Sequence, residues 1–180
     1  MPAKLRERPV LPLANLGAQT KDCCVGPIAL DDVDRRLLEL LQRDSSKTLF
    51  ELGQEVRLSA SAVQRRLGRL ERAGLIARRA AVLNAAALGE FVLALVLVTL
   101  ERESTEQHAA LRKRLEESPG VQQCYGLAGQ EDYAVLLVAR GMSELRTLID
   151  DLFMDAPNLK HFVTLPVLDV VKAGLEIPVR

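Results

Sequence analysis

The chain has 180 residues, of which 48% are hydrophobic, and its 24 basic and 24 acidic side chains cancel; this is enough apolar sequence for one large domain or two small ones. Aromatic residues make up 3% and tryptophan is absent, which argues against an aromatic platform for single-stranded nucleic acid. The three cysteines lack the spacing of a zinc or redox site, and the longest apolar run, residues 91–100, is too short to cross a membrane, so we expect a cytoplasmic protein without a metal or a cofactor.

Residues 1–29 contain four prolines and no sustained helical or strand periodicity. This composition predicts a flexible N-terminal tail. The basic residues Lys4, Arg6 and Arg8 leave a second interpretation open, in which the tail is an arm that contacts DNA.

Three short helices are predicted in the next segment. Apolar residues recur at helical spacing after Asp31, which is placed to cap the first helix. Thr48 and Glu51 have the spacing of a capping box for the second helix. Ser59 is placed to cap the third helix, which Gly74 ends.

The tight connection between the second and third helices is typical of a helix-turn-helix. We therefore predict a helix-turn-helix DNA-binding domain of winged-helix type over residues 30–80, followed by a linker over residues 81–88. The net charge is roughly +3 over residues 30–80 and roughly −5 over residues 81–180. Because a recognition helix enters the major groove of duplex DNA by its N-terminal half, the candidate DNA-binding residues are Ser59, Ser61, Gln64, Arg65, Arg66 and Arg69. The alternative is an arginine-rich face that is merely solvated.

The second half of the chain alternates between strand and helix patterns. Strands are predicted over residues 91–100, 121–127, 133–139 and 159–168, with helices that begin at Ser104, in a capping box with Gln107, and at Ser143. The order βαββαβ predicts an α+β fold whose second domain, residues 89–180, is ferredoxin-like, with a four-stranded antiparallel sheet and two helices on one face. The uncovered face is too apolar for water, so we expect a second copy of the chain to cover it.

Several segments resemble one known family in their order and spacing. They are residues 30–34 (LDDVD), 58–61 (LSAS), 66–76 (RLGRLERAGLI) and 129–133 (GQEDY), with Thr164 ahead of residues 170–172 (VVK). Over residues 30–172 the chain resembles the Lrp/AsnC (feast/famine) transcription regulators. The resemblance implies a homodimer built through the sheet domain, commonly assembled into tetramers or octamers, that binds duplex DNA and, as its small-molecule effector, a free amino acid or a related metabolite.

The chain departs from the family pattern at three positions. Ala60 stands where proline is frequent, and Gly68 where a basic residue is usual. We interpret Gly68 as permitting close packing of the third helix on the first. Pro166 lies inside the last strand, which predicts that this strand is at a sheet edge.

The resemblance places the effector between subunits, near the turn before the third strand and a neighbouring last strand. The candidate effector-binding residues are Gly129, Gln130, Glu131, Asp132 and Thr164. Backbone N–H groups beside Gly129 can donate to a carboxylate, Asp132 can accept from an ammonium group, and Thr164 supplies a hydroxyl. The alternative is an ordinary turn in which Asp132 caps its own backbone.

No catalytic site is predicted. Neither histidine has a metal-ligand partner at the required spacing; His108 is expected on the exposed side of its helix, and Cys124 in the core. A haem-precursor (siroheme-type) decarboxylase shares this architecture, but residues 121–129 carry no Arg, Lys or His to hold a polycarboxylate tetrapyrrole. A ligand-binding assembly module without DNA binding is a further alternative.

Overall fold

The computed structural model describes residues 29–101, 104–154 and 156–179. The described residues form two compact units. The helical unit comprises residues 29–82 together with residues 172–179, and the sheet unit comprises residues 83–171. Residues 1–28 of the predicted N-terminal tail lie outside the described residues.

The helical unit contains the three predicted helices, α1 (Asp32–Arg43), α2 (Leu49–Val56) and α3 (Ala60–Arg72). Their predicted caps are confirmed: Asp31 and Asp34 form a capping box on α1, Thr48 and Glu51 form one on α2, and Ser59 caps α3. The buried side chains of the three helices form one apolar core, which consists of Leu37, Leu38, Leu40, Leu52, Val63, Leu67 and Leu70.

The turn between α2 and α3 depends on Gly53. A Cβ atom at this position would lie 2.5 Å from the Leu58 carbonyl oxygen, so no other residue fits without moving the backbone. Arg57, in the same turn, adopts a left-handed conformation with φ of 56°. By contrast, nothing lies within 4 Å of a Cβ atom placed on Gly68. The interpretation that Gly68 permits close packing on α1 is therefore wrong.

Residues 172–179 belong to the helical unit, although the sequence placed them in the sheet domain. The Gln42 side chain on α1 donates to the Ile177 carbonyl oxygen at 3.1 Å and accepts from the Ile177 N–H at 2.8 Å. Val179 is half-buried and packs against the apolar core of the helical unit. These contacts join residues far apart in sequence, which no local pattern records.

The sheet unit has the predicted ferredoxin-like topology. Its elements are α4 (Ala85–Leu88), β1 (Val92–Leu100), α5 (Thr105–Glu117), β2 (Val121–Gly126), β3 (Tyr133–Ala139), α6 (Gly141–Ile149), a π-helical turn (Asp150–Met154) and β4 (Leu159–Pro166). The antiparallel strands lie in the order β2-β3-β1-β4, so β4 is at an edge, as Pro166 predicted. The short helix α4 lies inside the predicted linker, α6 begins two residues before Ser143, and Ser104 precedes α5 without the predicted side-chain cap.

One face of the sheet is covered by the helices. Alternate residues of β1 and β3 are buried there with side chains of α5, α6 and the π-helical turn. The opposite face carries Leu95, Leu97, Leu136, Val163 and Leu165, which are half-buried or exposed. This apolar face was predicted from the hydrophobic run in β1. None of the helices in the described ranges is long and apolar enough to cross a membrane.

Candidate functional site

The exposed side of α3 carries three of the predicted DNA-binding residues. Ser61, Gln64 and Arg65 are all exposed, and their spacing of three and four residues places them on one side of the helix. We call these three residues the readout face. Ser59 stands at the start of α3, where its Oγ accepts from the Ala62 N–H at 3.3 Å and lies 3.1 Å from the Ser61 Oγ. Its observed role is therefore that of the helix cap.

Arg66 and Arg69 contact carboxylates at the N-terminus of α1. Arg66 Nη1 donates to Asp31 Oδ2 at 2.6 Å and to Asp34 Oδ1 at 2.8 Å. Arg69 Nη2 donates to the other carboxylate oxygen of Asp34. Asp34 is completely buried, and a buried carboxylate needs such partners because it has lost its hydration. We call these four residues the α1–α3 ion-pair cluster.

The ion-pair cluster also changes the electrostatics of the helix start. The hydrogen bonds that Arg66 donates to Asp31 and Asp34 raise the pKa of Arg66. The Asp34 N–H, and then the Arg66 guanidinium, lower the pKa of Asp31. The Asp31 carboxylate therefore stays ionised at neutral pH, and the carboxylates at the start of α1 lie against the positive charge that Arg66 and Arg69 add to α3.

Sequence reasoning missed the acidic half of the cluster. Arg66 and Asp34 are 32 residues apart, and no local spacing joins them. A signal was present, however, because Asp34 precedes Leu37 and Leu38 by three and four residues and so lies on the apolar side of α1. A charged residue on that side calls for a partner of opposite charge.

Glu131 and Asp132, two of the predicted effector residues, hydrogen-bond the turn between β2 and β3 to β1. Asp132 is 8% exposed, its Oδ2 accepts from the Leu100 N–H at 2.8 Å, and its own N–H donates to the Val98 carbonyl oxygen at 2.8 Å. Glu131 accepts a hydrogen bond from the Thr99 hydroxyl. The Asp132 carboxylate thus caps the backbone of the neighbouring strand.

The other predicted effector residues are distributed over two places. Gly129 and Gln130 are exposed at the turn. Thr164 on β4 pairs with Val96 on β1, and β3 lies on the opposite side of β1. Like Val96, Thr164 is on the helix-covered face of the sheet. It lines a cavity of about 540 Å³ between α6 and β4, beside Leu145 and Arg146. Within one chain, Thr164 and the turn therefore do not meet.

A polar cluster at α5 was not predicted from the sequence. The buried Tyr133 hydroxyl lies 2.7 Å from His108 Nδ1 and accepts from Arg112 Nε at 3.1 Å. Burial raises the pKa of Tyr133, and the Arg112 hydrogen bond opposes this rise. His108 thus faces β3, contrary to its expected exposure, whereas Cys124 is exposed and does not lie in the core.

Both units match known domain families. The winged helix-turn-helix DNA-binding family matches residues 30–77, and the Lrp/AsnC ligand binding domain matches residues 93–177. The transcriptional regulator AzlB of Bacillus subtilis is 32% identical over 152 residues, which cover 84% of this chain and 97% of AzlB. The regulator LrpA of Mycobacterium tuberculosis is 38% identical over 121 residues, which cover 67% of this chain and 79% of LrpA.

A solved structure supports the same family assignment. A transcriptional regulator from Neisseria meningitidis, solved as a complex with L-methionine, has a TM-score of 0.78 and 26% identity, and the match covers 83% of this chain and 97% of that one. The winged helix-turn-helix unit and the ligand-binding unit thus occur here in the same order as in full-length relatives. This chain is a DNA-binding transcriptional regulator that belongs to the Lrp/AsnC family.

Proposed function

We propose that the readout face contacts duplex DNA with the N-terminal half of α3 in the major groove. Arg65 can donate two hydrogen bonds to guanine or one to a phosphate, and Ser61 and Gln64 are short enough to reach base edges. The observation that supports this choice is the division of the arginines of α3. Arg66 and Arg69 pair with the carboxylates of α1, whereas Arg65 is exposed and forms no ion pair within the described residues.

The salt dependence of DNA binding tests this proposal. Each phosphate contact contributes about one to the slope of log affinity against log salt concentration. We expect Arg65→Ala to weaken binding to the promoter DNA upstream of the protein's own gene and to flatten the slope by up to about one. The matched control is Arg36→Ala combined with Glu39→Ala, an exposed ion pair on α1 outside the ion-pair cluster, which removes one charge of each sign and should leave the slope unchanged. Equal slopes for wild type and Arg65→Ala would exclude a phosphate contact by Arg65. If the affinity were also unchanged, DNA contact through the readout face would be excluded.

The protein acts in the cytoplasm as a homodimer whose two sheets pack through their uncovered faces, with assembly of dimers into tetramers or octamers. The uncovered apolar side chains, among them Leu97 and Leu136, support this arrangement because an apolar sheet face is unfavourable in water. We expect Leu97→Asp to yield a folded monomer in analytical ultracentrifugation. Met154→Asp is the control, because Met154 is exposed on the π-helical turn. A wild-type protein that sediments as a monomer would exclude the dimer.

The effector is a free amino acid that binds at the turn of residues 129–132, with Thr164 of a neighbouring subunit. The exposed backbone at Gly129 and Gln130 can donate to a carboxylate, and the related Neisseria regulator was solved with L-methionine. A melting-temperature screen of the twenty amino acids tests this assignment, because a ligand that binds only the folded protein raises its melting temperature. A screen without any shift would argue for a regulator that does not respond to amino acids.

A further inference from the structure

Residues 172–179, which we call the return segment, are held to α1 through backbone atoms. The Gln42 amide bonds to both the N–H and the carbonyl oxygen of Ile177, at 2.8 and 3.1 Å. One side-chain amide can do this because it offers a donor and an acceptor side by side. The Ile177 side chain is 70% exposed, so the segment is recognised by its backbone at this position.

A second contact anchors the end of the return segment. Val179 packs against the core that α1, α2 and α3 share. Partial burial of the Val179 side chain stabilises the docked segment, because it removes apolar surface from water. The return segment therefore supplies both hydrogen bonds and apolar contact to the helical unit.

The chain enters the helical unit twice, and the docked return segment is its second entry. The chain leaves the helical unit after residue 82 and re-enters it at residue 172. The last backbone contact of the sheet near this point is the Val167 N–H with the Leu93 carbonyl oxygen at 2.8 Å. Only residues 168–171 separate Val167 from the return segment, so the sheet unit is joined to the DNA-binding unit by a second, short connection.

We propose that the return segment is an integral part of the DNA-binding unit and that its docking on α1 stabilises the DNA-binding form of α3. The link to α3 runs through α1, because α1 also carries Asp34, which accepts hydrogen bonds from Arg66 and Arg69. Loosening of α1 at Gln42 weakens the support of the recognition helix. The part of this inference that concerns DNA rests on the proposed function of the readout face.

Two substitutions at one position separate docking from side-chain effects. Ile177→Pro removes the N–H that Gln42 accepts, whereas Ile177→Ala keeps both backbone groups and serves as the matched control. In the full-length protein we expect amide hydrogen exchange of α1 to accelerate at least about fivefold in Ile177→Pro, the factor for losing an ordinary hydrogen bond. Exchange in α5, within the sheet unit, should not change.

The variant Gln42→Leu tests the same contact from the other side. It should accelerate exchange in α1 as Ile177→Pro does, and the double variant should add little to either, because both changes remove one interaction. Exchange rates of α1 that are equal in Ile177→Pro and Ile177→Ala would overturn the docking.

DNA affinity then tests the functional half on the same proteins. We expect Ile177→Pro to bind the promoter duplex more weakly than Ile177→Ala. Faster exchange in α1 with equal DNA affinity would overturn the functional role of the return segment. A wild-type protein that does not bind DNA would contradict the proposed function instead. The hydrogen-exchange rates of α1 would still show whether the return segment docks on α1.

Discussion

Arg66 donates to Asp34 at 2.8 Å and thereby joins the middle of α3 to the first turn of α1. The same guanidinium group reaches Asp31, the residue that caps α1. One side chain therefore links the recognition helix to the helix beneath it and to the cap of that helix. The position of the readout face depends on this link as well as on the leucine core.

Replacing Asp34 should loosen the helical unit. Asp34→Ala removes hydrogen bonds from two guanidinium groups and one from the capping box, and hydrogen bonds to charged groups contribute about 1.5–3 kcal/mol each in favourable settings. Arg66 and Arg69 are partly exposed, so water compensates some of the loss. We expect a total loss of about 2–3 kcal/mol in the free energy of unfolding, measured by urea denaturation.

Asp32 provides the control for this substitution, because it is an exposed acidic residue in the same turn of α1. Asp32→Ala should cost less than about 1 kcal/mol, the scale of a charge near a helix N-terminus. Equal losses for the two variants would mean that the ion-pair cluster contributes nothing beyond the charge of the helix start.

Acid should destabilise the helical unit through its caps. The Asp34 N–H and Arg66 lower the pKa of Asp31, and the Thr48 N–H and hydroxyl lower the pKa of Glu51, from ordinary values of 3.8 and 4.5. A lowered pKa in the folded state means that the stabilisation is present above these ordinary values and disappears as the pH falls through the lower, folded-state values.

Thermal unfolding followed by circular dichroism at a series of pH values checks this dependence. Glu51→Gln is the matched variant, because glutamine can still cap the helix but does not titrate. Its melting temperature should fall less between about pH 5 and pH 3 than that of the wild type. Parallel curves for the two proteins would exclude Glu51 as a source of acid sensitivity.

The two helical glycines of the helical unit should respond in opposite directions to alanine. In Gly53→Ala the new Cβ atom would meet the Leu58 carbonyl oxygen at 2.5 Å, and such overpacking typically costs about 1–3 kcal/mol. In Gly68→Ala the Cβ atom enters open space, so the higher helix propensity of alanine should stabilise the protein by up to about 1 kcal/mol. Melting temperatures of the two variants check the signs, and a loss of stability in Gly68→Ala would contradict the open environment.

Asp132 should separate ligand binding from folding when two substitutions are compared. Asp132→Asn keeps an oxygen that can accept from the Leu100 N–H but removes the charge that would attract an ammonium group. We expect it to retain a melting temperature near that of the wild type and to lose the shift caused by an amino acid. Asp132→Ala leaves the Leu100 N–H without this acceptor and should also lower the melting temperature without ligand. A full ligand shift in Asp132→Asn would exclude the charge from ligand recognition.

Local patterns predicted the elements better than they predicted the partners. The three caps at Asp31, Thr48 and Ser59 were readable because capping joins residues within one turn. The order of strands and helices gave the sheet topology for the same reason, since each element carries its own periodicity. Ser104 shows the limit even of local patterns, because its expected cap is not formed.

The tertiary partners could not be read in this way. Asp34 and Arg66 are 32 residues apart, and Gln42 and Ile177 are 135 residues apart. Such pairs form because the completed fold brings their elements together, and neither helical nor strand spacing records that approach. The candidate residues on α3 were therefore predicted as one arginine face, whereas the structure divides them between the readout face and the ion-pair cluster.

The separation between Gln42 and Ile177 also bears on how the protein is made. As the chain emerges from the ribosome, α1, α2 and α3 are made early. Their leucines can pack into a core soon afterwards, since segments close in sequence meet quickly. Gln42 must wait for its partner until synthesis has passed residue 177, after every strand of the sheet has been made. A prematurely terminated chain thus lacks the contact between Gln42 and Ile177, which can form only after the whole ligand-binding unit has been translated.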